Sequence, residues 1–284
     1  MKIKQLLQVG ASIAALLTLS GCFQSETTVH VKSDGSGTVV EETVLGAQMS
    51  AMLGGMGGMM QDPNGKPAKN PLEEMSSKKK AEEKAALMGE GVTVQKIEKL
   101  DKDGKKGVRI TYAFKDINKL KISTDLGPDA MKEMGDKKPG GQAAKDKEEV
   151  KGEPIRFKFE DGALTILMPK PDEASEKPED ADKPVGDLPD NPEADAMAKA
   201  MFADMKMSLK VVVEPGIKKT NATHVDGNTI TLMEMKFGEL IQDKEGWKKF
   251  QKAQGKKPDE IGEALKDVKG VKFETKEKVE VDMK

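Results

Sequence analysis

Four Asp-Gly steps constrain this chain more than any other feature: Asp34-Gly35, Asp103-Gly104, Asp161-Gly162 and Asp226-Gly227. Each falls between runs rich in β-branched or aromatic residues. Glycine reaches positive φ without steric cost and Asp hydrogen-bonds within its own turn, so each step predicts a β-hairpin. In the first, residues 27–32 and 38–44 are the strands and Ser33-Asp34-Gly35-Ser36-Gly37 is the turn. Four hairpins give a mostly antiparallel skeleton.

Alternation assigns faces to these strands. Val108, Ile110, Tyr112 and Phe114 share one face; Ile155, Phe157 and Phe159 share another, with Arg156 and Lys158 opposite. Met205, Met207, Leu209, Val211 and Val213 repeat the pattern. Near the C-terminus, Val271, Phe273, Val279, Val281 and Met283 alternate with Lys272, Glu274, Lys276, Lys278, Glu280 and Asp282. This predicts a half-buried strand with a wet, mixed-charge face.

Helices carry their own punctuation. Asn70, Pro71, Glu73, Glu74 and Gly89 bracket a helix predicted over 71–88. A second, near 238–253, buries Leu240, Ile241, Trp247 and Phe250; a third starts at Pro258 and shows Ile261, Leu265 and Val268 before Gly270. Residues 127–149 and 170–193 are dominated by Lys, Asp, Glu and Pro and read as solvated, disordered inserts that bury too little to offset ordering entropy. The fold class expected is α+β: a mostly antiparallel curved sheet built from hairpins, with helices packed on it, as a single domain over 27–284.

The N-terminus carries an address. Lys2 and Lys4 precede an uncharged apolar stretch from Leu6 to Leu19, too short for a comfortable membrane span, so residues 1–21 read as an export signal. Leu19-Ser20-Gly21-Cys22 matches the bacterial lipobox, whose cysteine is acylated, and Cys22 is the one cysteine in the chain. Residues 22–26 then form a lipidated tether, and several acyl chains exceed what stable anchoring needs. Phe23 follows the cysteine, where Asp would resemble an inner-membrane retention signal; outer-membrane anchoring is expected in a cell with two membranes.

Composition excludes other classes. The whole chain has 47 basic and 49 acidic residues, net −2; losing residues 1–21 removes two lysines and no acid, leaving −4. With one Trp and one Tyr besides, the chain offers neither a basic field nor a stacking platform for nucleic acid. Acylation occupies Cys22, and His30 and His224 lack nearby Cys or spaced carboxylates, so each reads as an ordinary strand or turn residue and a closed zinc site lacks ligands. No Gly-x-Ser-x-Gly elbow, phosphate loop or EF-hand spacing occurs. The reading is not an enzyme, with no cofactor.

Methionine is the distinctive residue, at 18 in 284. Leu45, Met49, Met52, Leu53, Met56, Met59 and Met60 follow helical spacing inside an uncharged window interrupted by Gly54, Gly55, Gly57 and Gly58. Each such glycine costs about 1 kcal/mol relative to alanine, so that helix needs packing to persist. Met197, Met201, Phe202 and Met205 form a second stripe leading into the strand that follows. Three readings compete: helix faces docked on the sheet, adaptable walls of an apolar groove, or soft thioether ligands for Cu(I).

Several motifs in order resemble a known family. They are Thr28-Val29-His30-Val31 with Asp34-Gly35-Ser36-Gly37, the strand from Leu209 through Pro215-Gly216-Ile217, Asn221-Ala222-Thr223-His224, and Asp226-Gly227-Asn228-Thr229-Ile230-Thr231-Leu232. With the lipobox, this order resembles the LppM-type bacterial lipoproteins. The resemblance implies a lipid-anchored α+β domain facing the cell envelope, with an apolar cleft and no catalytic residues to carry over. The resulting expectation is a non-catalytic envelope lipoprotein, held to the membrane by Cys22. It binds an amphiphile in a groove lined by Met49, Met52, Leu53, Met56, Met59, Met60, Met197, Met201, Phe202 and Met205. The alternatives are an assembly lipoprotein working through an envelope protein partner, and Cu(I) binding.

Overall fold

The structure, a computed structural model, describes residues 23–46, 50, 71–102, 105–123, 153–169, 203–253 and 258–284. Its architecture is α+β, as the hairpin signals predict. The strands are β1 (Phe23–Val31), β2 (Gly37–Leu45), β3 (Thr93–Lys102), β4 (Lys105–Phe114), β5 (Lys121–Ile122), β6 (Ile155–Glu160), β7 (Ala163–Leu167), β8 (Lys206–Val213), β9 (Ile217–Thr220), β10 (Val225–Asp226), β11 (Thr229–Lys236), β12 (Val271–Phe273) and β13 (Lys278–Met283). The helices are α1 (Pro71–Met75), α2 (Lys78–Met88), α3 (Phe237–Gln242), α4 (Lys244–Ala253) and α5 (Pro258–Leu265).

Three Asp-Gly steps make their turns. Asp161 and Gly162 sit at φ 50° and 77°, the positive pair that lets a tight turn follow the strand twist. Gly35 is at φ 77°, and Asp34 Oδ1 accepts from the Ser36 amide at 2.9 Å and hydroxyl at 2.7 Å. Gly227 is at φ 60° between Asp226 and its partner Thr229. Residues 103 and 104 lie outside the described set, but Lys102 pairs with Lys105 across them.

The strands divide into two sheets rather than one curved one. The larger has eight strands in the order β10-β11-β8-β1-β2-β4-β3, with β12 also on β11; the smaller has five, β5-β6-β7-β13-β9. Every described pairing is antiparallel except β1 with β8, which puts Phe23–Val31 at the centre of the large sheet beside a strand from the far half of the chain. One face of that sheet carries Val29, Val31, Val39, Tyr112, Val211 and Val213. Together with Ile155, Leu164, Ile166, Val279 and Val281 of the small sheet and Ala81, Ala85 and Met88 of α2, these make one continuous core. A second core joins Leu240, Ala253, Leu265, Val268 and Val271, where α3, α4 and α5 meet β12.

Two expectations need correction. The C-terminal alternation is two strands, β12 in the large sheet and β13 in the small one. The chain crosses between them at Glu274, which is buried despite its charge because its carboxylate accepts from the Thr223 amide and hydroxyl, both at 2.7 Å, and from the amides of Thr275 and Lys276 at 3.1 and 3.2 Å. The two longer helices are each broken. Ser77 is extended at ψ 121° between α1 and α2, while Ser76 Oγ bonds back to Glu73 O at 3.2 Å. Asp243, extended at ψ 92°, separates α3 from α4 and caps the latter, its Oδ1 accepting from Gly246 N at 3.0 Å.

Candidate functional site

Register brings the start of β1, the end of β2, the start of β8 and the end of β11 to one end of the large sheet. Phe23 pairs with Leu45, Gln24 with Lys206, and Lys206 with Lys236. Cys22, the expected acylation site, directly precedes Phe23 in the chain, so an anchor there would attach at this end, termed the anchor end. Hydrogen bonds knit it together: Gln24 Nε2 donates to Asp204 O at 3.4 Å, and the Phe237 amide to Met205 O at 2.9 Å. A Cβ on the buried Gly238 would lie 1.9 Å from Ala203 O, so only glycine lets α3 approach that closely. Leu45, Met205, Met207 and Ile241 are buried here and belong to neither core cluster.

Of the expected groove residues, the structure places Met205, buried beside the first residue of β8. Met49, Met52, Leu53, Met56, Met59, Met60, Met197, Met201 and Phe202 lie outside the described residues, as do Cys22 and both expected inserts. Chain continuity still locates their attachment. Met49 is four residues past Leu45 and Phe202 three before Met205, so both methionine stripes join the sheet at the anchor end with β1 alone between the joining strands.

The face of the large sheet opposite the main core is polar, and its organisation was not anticipated. Glu98, Arg109, Glu42, Glu26, Ser208, Glu234 and Lys272 stand in register, one per strand, as a single row across the sheet. Arg109 clamps Glu42 at 2.6 and 2.8 Å. Glu26 receives Lys210 at 2.8 Å and the Ser208 hydroxyl at 3.0 Å, with Lys206 at 3.6 Å; Glu234 receives Lys272 at 3.4 Å and Lys206 at 3.5 Å. Burial pushes the Glu26 and Glu234 carboxyls up, but these lysines outweigh it and hold both below the ordinary value of 4.5. They are fixed anions in an ion-pair lattice, which suits binding rather than proton transfer. Gln24, Ser25, Glu26, Glu42, Val44 and Lys206 line a depression of about 130 Å³ on this face. The alternation of each strand was legible; that the polar positions would align across seven strands depends on register.

On the core side, Tyr112 donates to Glu41 Oε2 at 3.3 Å, and Lys84 of α2 reaches the same oxygen at 2.8 Å. Burial, with the adjacent Glu41 charge, raises the phenol well above its ordinary range, so it stays a neutral donor latching helix to sheet. His224 Nε2 lies 3.2 Å from Phe273 O, a structural contact between β12 and the loop before β10. Among the described residues no group of three or more His, Cys, Asp or Glu could hold a metal, and no helix is long and apolar enough to cross a membrane.

No protein-family model matches the chain, and no curated protein does. Among solved structures, it is similar to the folded domain of LppM from Mycobacterium tuberculosis, determined by NMR. The TM-score is 0.29 at 10% identity, over 79% of this chain and 88% of that one. This is a weak structural resemblance.

Proposed function

We propose that this chain is a non-catalytic lipoprotein of the bacterial envelope, anchored through acylated Cys22, that holds the apolar part of an amphiphile at the anchor end of its large sheet. The observation that carries this reading is convergence. The described residues that flank the anchor residue and the two methionine stripes in the chain, Phe23, Leu45 and Met205, lie at one end of one sheet, and four buried apolar side chains outside either core lie there too. An acyl chain drawn from the bilayer would enter there with the shortest path, and flexible thioethers adapt to chains of varied shape. The test is native mass spectrometry of the processed protein after extraction with envelope lipids. Retained lipid is expected, reduced about tenfold by Met205→Gln with Met207→Gln, each of which places an amide against apolar contents. Protein that releases no lipid under conditions where its fold persists overturns the reading.

The in-register charged row favours a second reading, an assembly lipoprotein whose polar sheet face docks an envelope protein. Fixed charges of both signs at set positions specify a partner's register more than they add affinity. Crosslinking in cells from position 26 or 42 supports this reading if a single protein dominates, and a diffuse pattern counts against it.

A further inference from the structure

We infer that α4 is a second, headgroup-reading membrane contact, which presses the anchored domain onto anionic phospholipid. This rests on the anchored reading and deepens it. The helix Lys244–Ala253 carries four lysines and one glutamate, and all four lysines are exposed. Lys244, Lys248 and Lys252 recur at every fourth position, so at 3.6 residues per turn they form one stripe, with Lys249 beside it. The opposite side is apolar. Ala253 is buried, and Trp247 stacks on Phe250 at 5.7 Å, which meets Phe237 edge-on at 6.3 Å. The aromatic side packs into the second core, which leaves the lysine stripe, with Trp247 at its border, as the outward face that can meet lipid headgroups.

Position adds an independent argument. The second core ties α4 to α3, and α3 continues directly from β11 at Lys236, the residue paired with Lys206 beside Gln24. The lysine stripe therefore belongs to the helical unit that grows from the anchor end of the large sheet. The processed chain as a whole is net −4, so no general attraction does this work; the attraction must be local. Trp247 supplies a third observation. It is half-buried, yet its Nε1–H is fully covered and meets no acceptor among the described residues. An indole left unsatisfied in that way gains an acceptor if it shifts outward to a lipid ester or phosphate oxygen. The acids of α5, Glu260 and Glu263, are exposed but stand on a separate helix, and Glu263 already holds Lys266 at 2.5 Å.

Trp247 is the sole tryptophan, so intrinsic fluorescence reports on this helix alone. The acylated, processed protein would be reconstituted in vesicles of phosphatidylcholine, with or without phosphatidylglycerol, each containing brominated acyl chains as quencher. The expected result is quenching and a blue shift only in the anionic vesicles, reversed by salt. The triple variant Lys244→Gln, Lys248→Gln, Lys252→Gln should remain anchored but lower the docking equilibrium about a hundredfold, at roughly fivefold per lysine. Glu260→Gln with Glu263→Gln should not weaken docking. Equal Trp247 emission in both vesicle types, or a triple variant that docks like the parent, overturns the inference. Failure to associate with neutral vesicles at all would instead mean that Cys22 carries no anchor, and would count against the proposed function.

Discussion

Gly37 shows how a single residue can be fixed by proximity rather than by turn geometry. A Cβ there would lie 1.9 Å from His30 O and 2.6 Å from Phe114 Cζ, whereas one on Gly162 would touch nothing within 4 Å. Gly37→Ala should therefore cost about 2–3 kcal/mol through forced overpacking, and Gly162→Ala only about 1 kcal/mol through its positive φ; urea denaturation of the two variants checks the difference. The turn role of Gly35 was legible from its Asp-Gly step, but the close approach at Gly37 was not, because it depends on Phe114 from another strand. Charge gives the second prediction at this scale. Glu26 and Glu234 titrate below their unfolded value of 4.5, so their contribution is present above that pH and is lost as pH falls through the depressed folded values. Melting temperature should fall on acidification below about pH 4.5, and Lys206→Gln with Lys210→Gln should flatten that fall by returning Glu26 towards its ordinary titration.

Among elements, the hairpins were the most legible, because a turn and its two flanking strands are all local in sequence. Alternation says which side chains share a face and nothing about which sheet receives them. The apolar alternation of Val271 and Phe273 serves the second core and that of Val279 and Val281 the main core, with buried Glu274 and exposed Thr275 and Glu277 marking the break between β12 and β13. Glu274 is the residue that makes this passage, and Glu274→Ala would leave the Thr223, Thr275 and Lys276 amides without their acceptor. The expected loss is about 3 kcal/mol, with Glu274→Gln recovering part of it, both read from thermal or urea unfolding. The helix breaks had signals that were passed over. Ser76-Ser77 offers hydroxyls that compete for backbone carbonyls, and Asp243 with Glu245 is an N-cap followed by an acid in the first turn. Of the expected groove, Met205 is the residue within the described set, and it is buried just before β8.

For the whole molecule, the two-sheet division and the parallel pairing of β1 with β8 follow from contacts between residues some 180 positions apart, which no local pattern encodes. The proposed anchor belongs to this scale because it would determine where the domain sits. Cys22→Ala should abolish acyl labelling and leave the precursor uncleaved, shifting the protein from the membrane fraction; metabolic labelling with palmitate and fractionation check both. The central position of β1 has a mechanical consequence. With the proposed acyl anchor on Cys22, a pull on it would enter the domain at Phe23 and run along the axis of a strand paired over its whole length with β2 on one side and over Gln24–Val31 with β8 on the other. That load would shear two ladders at once instead of peeling bonds singly from a sheet edge, so the fold is braced against extraction through a tether at Phe23.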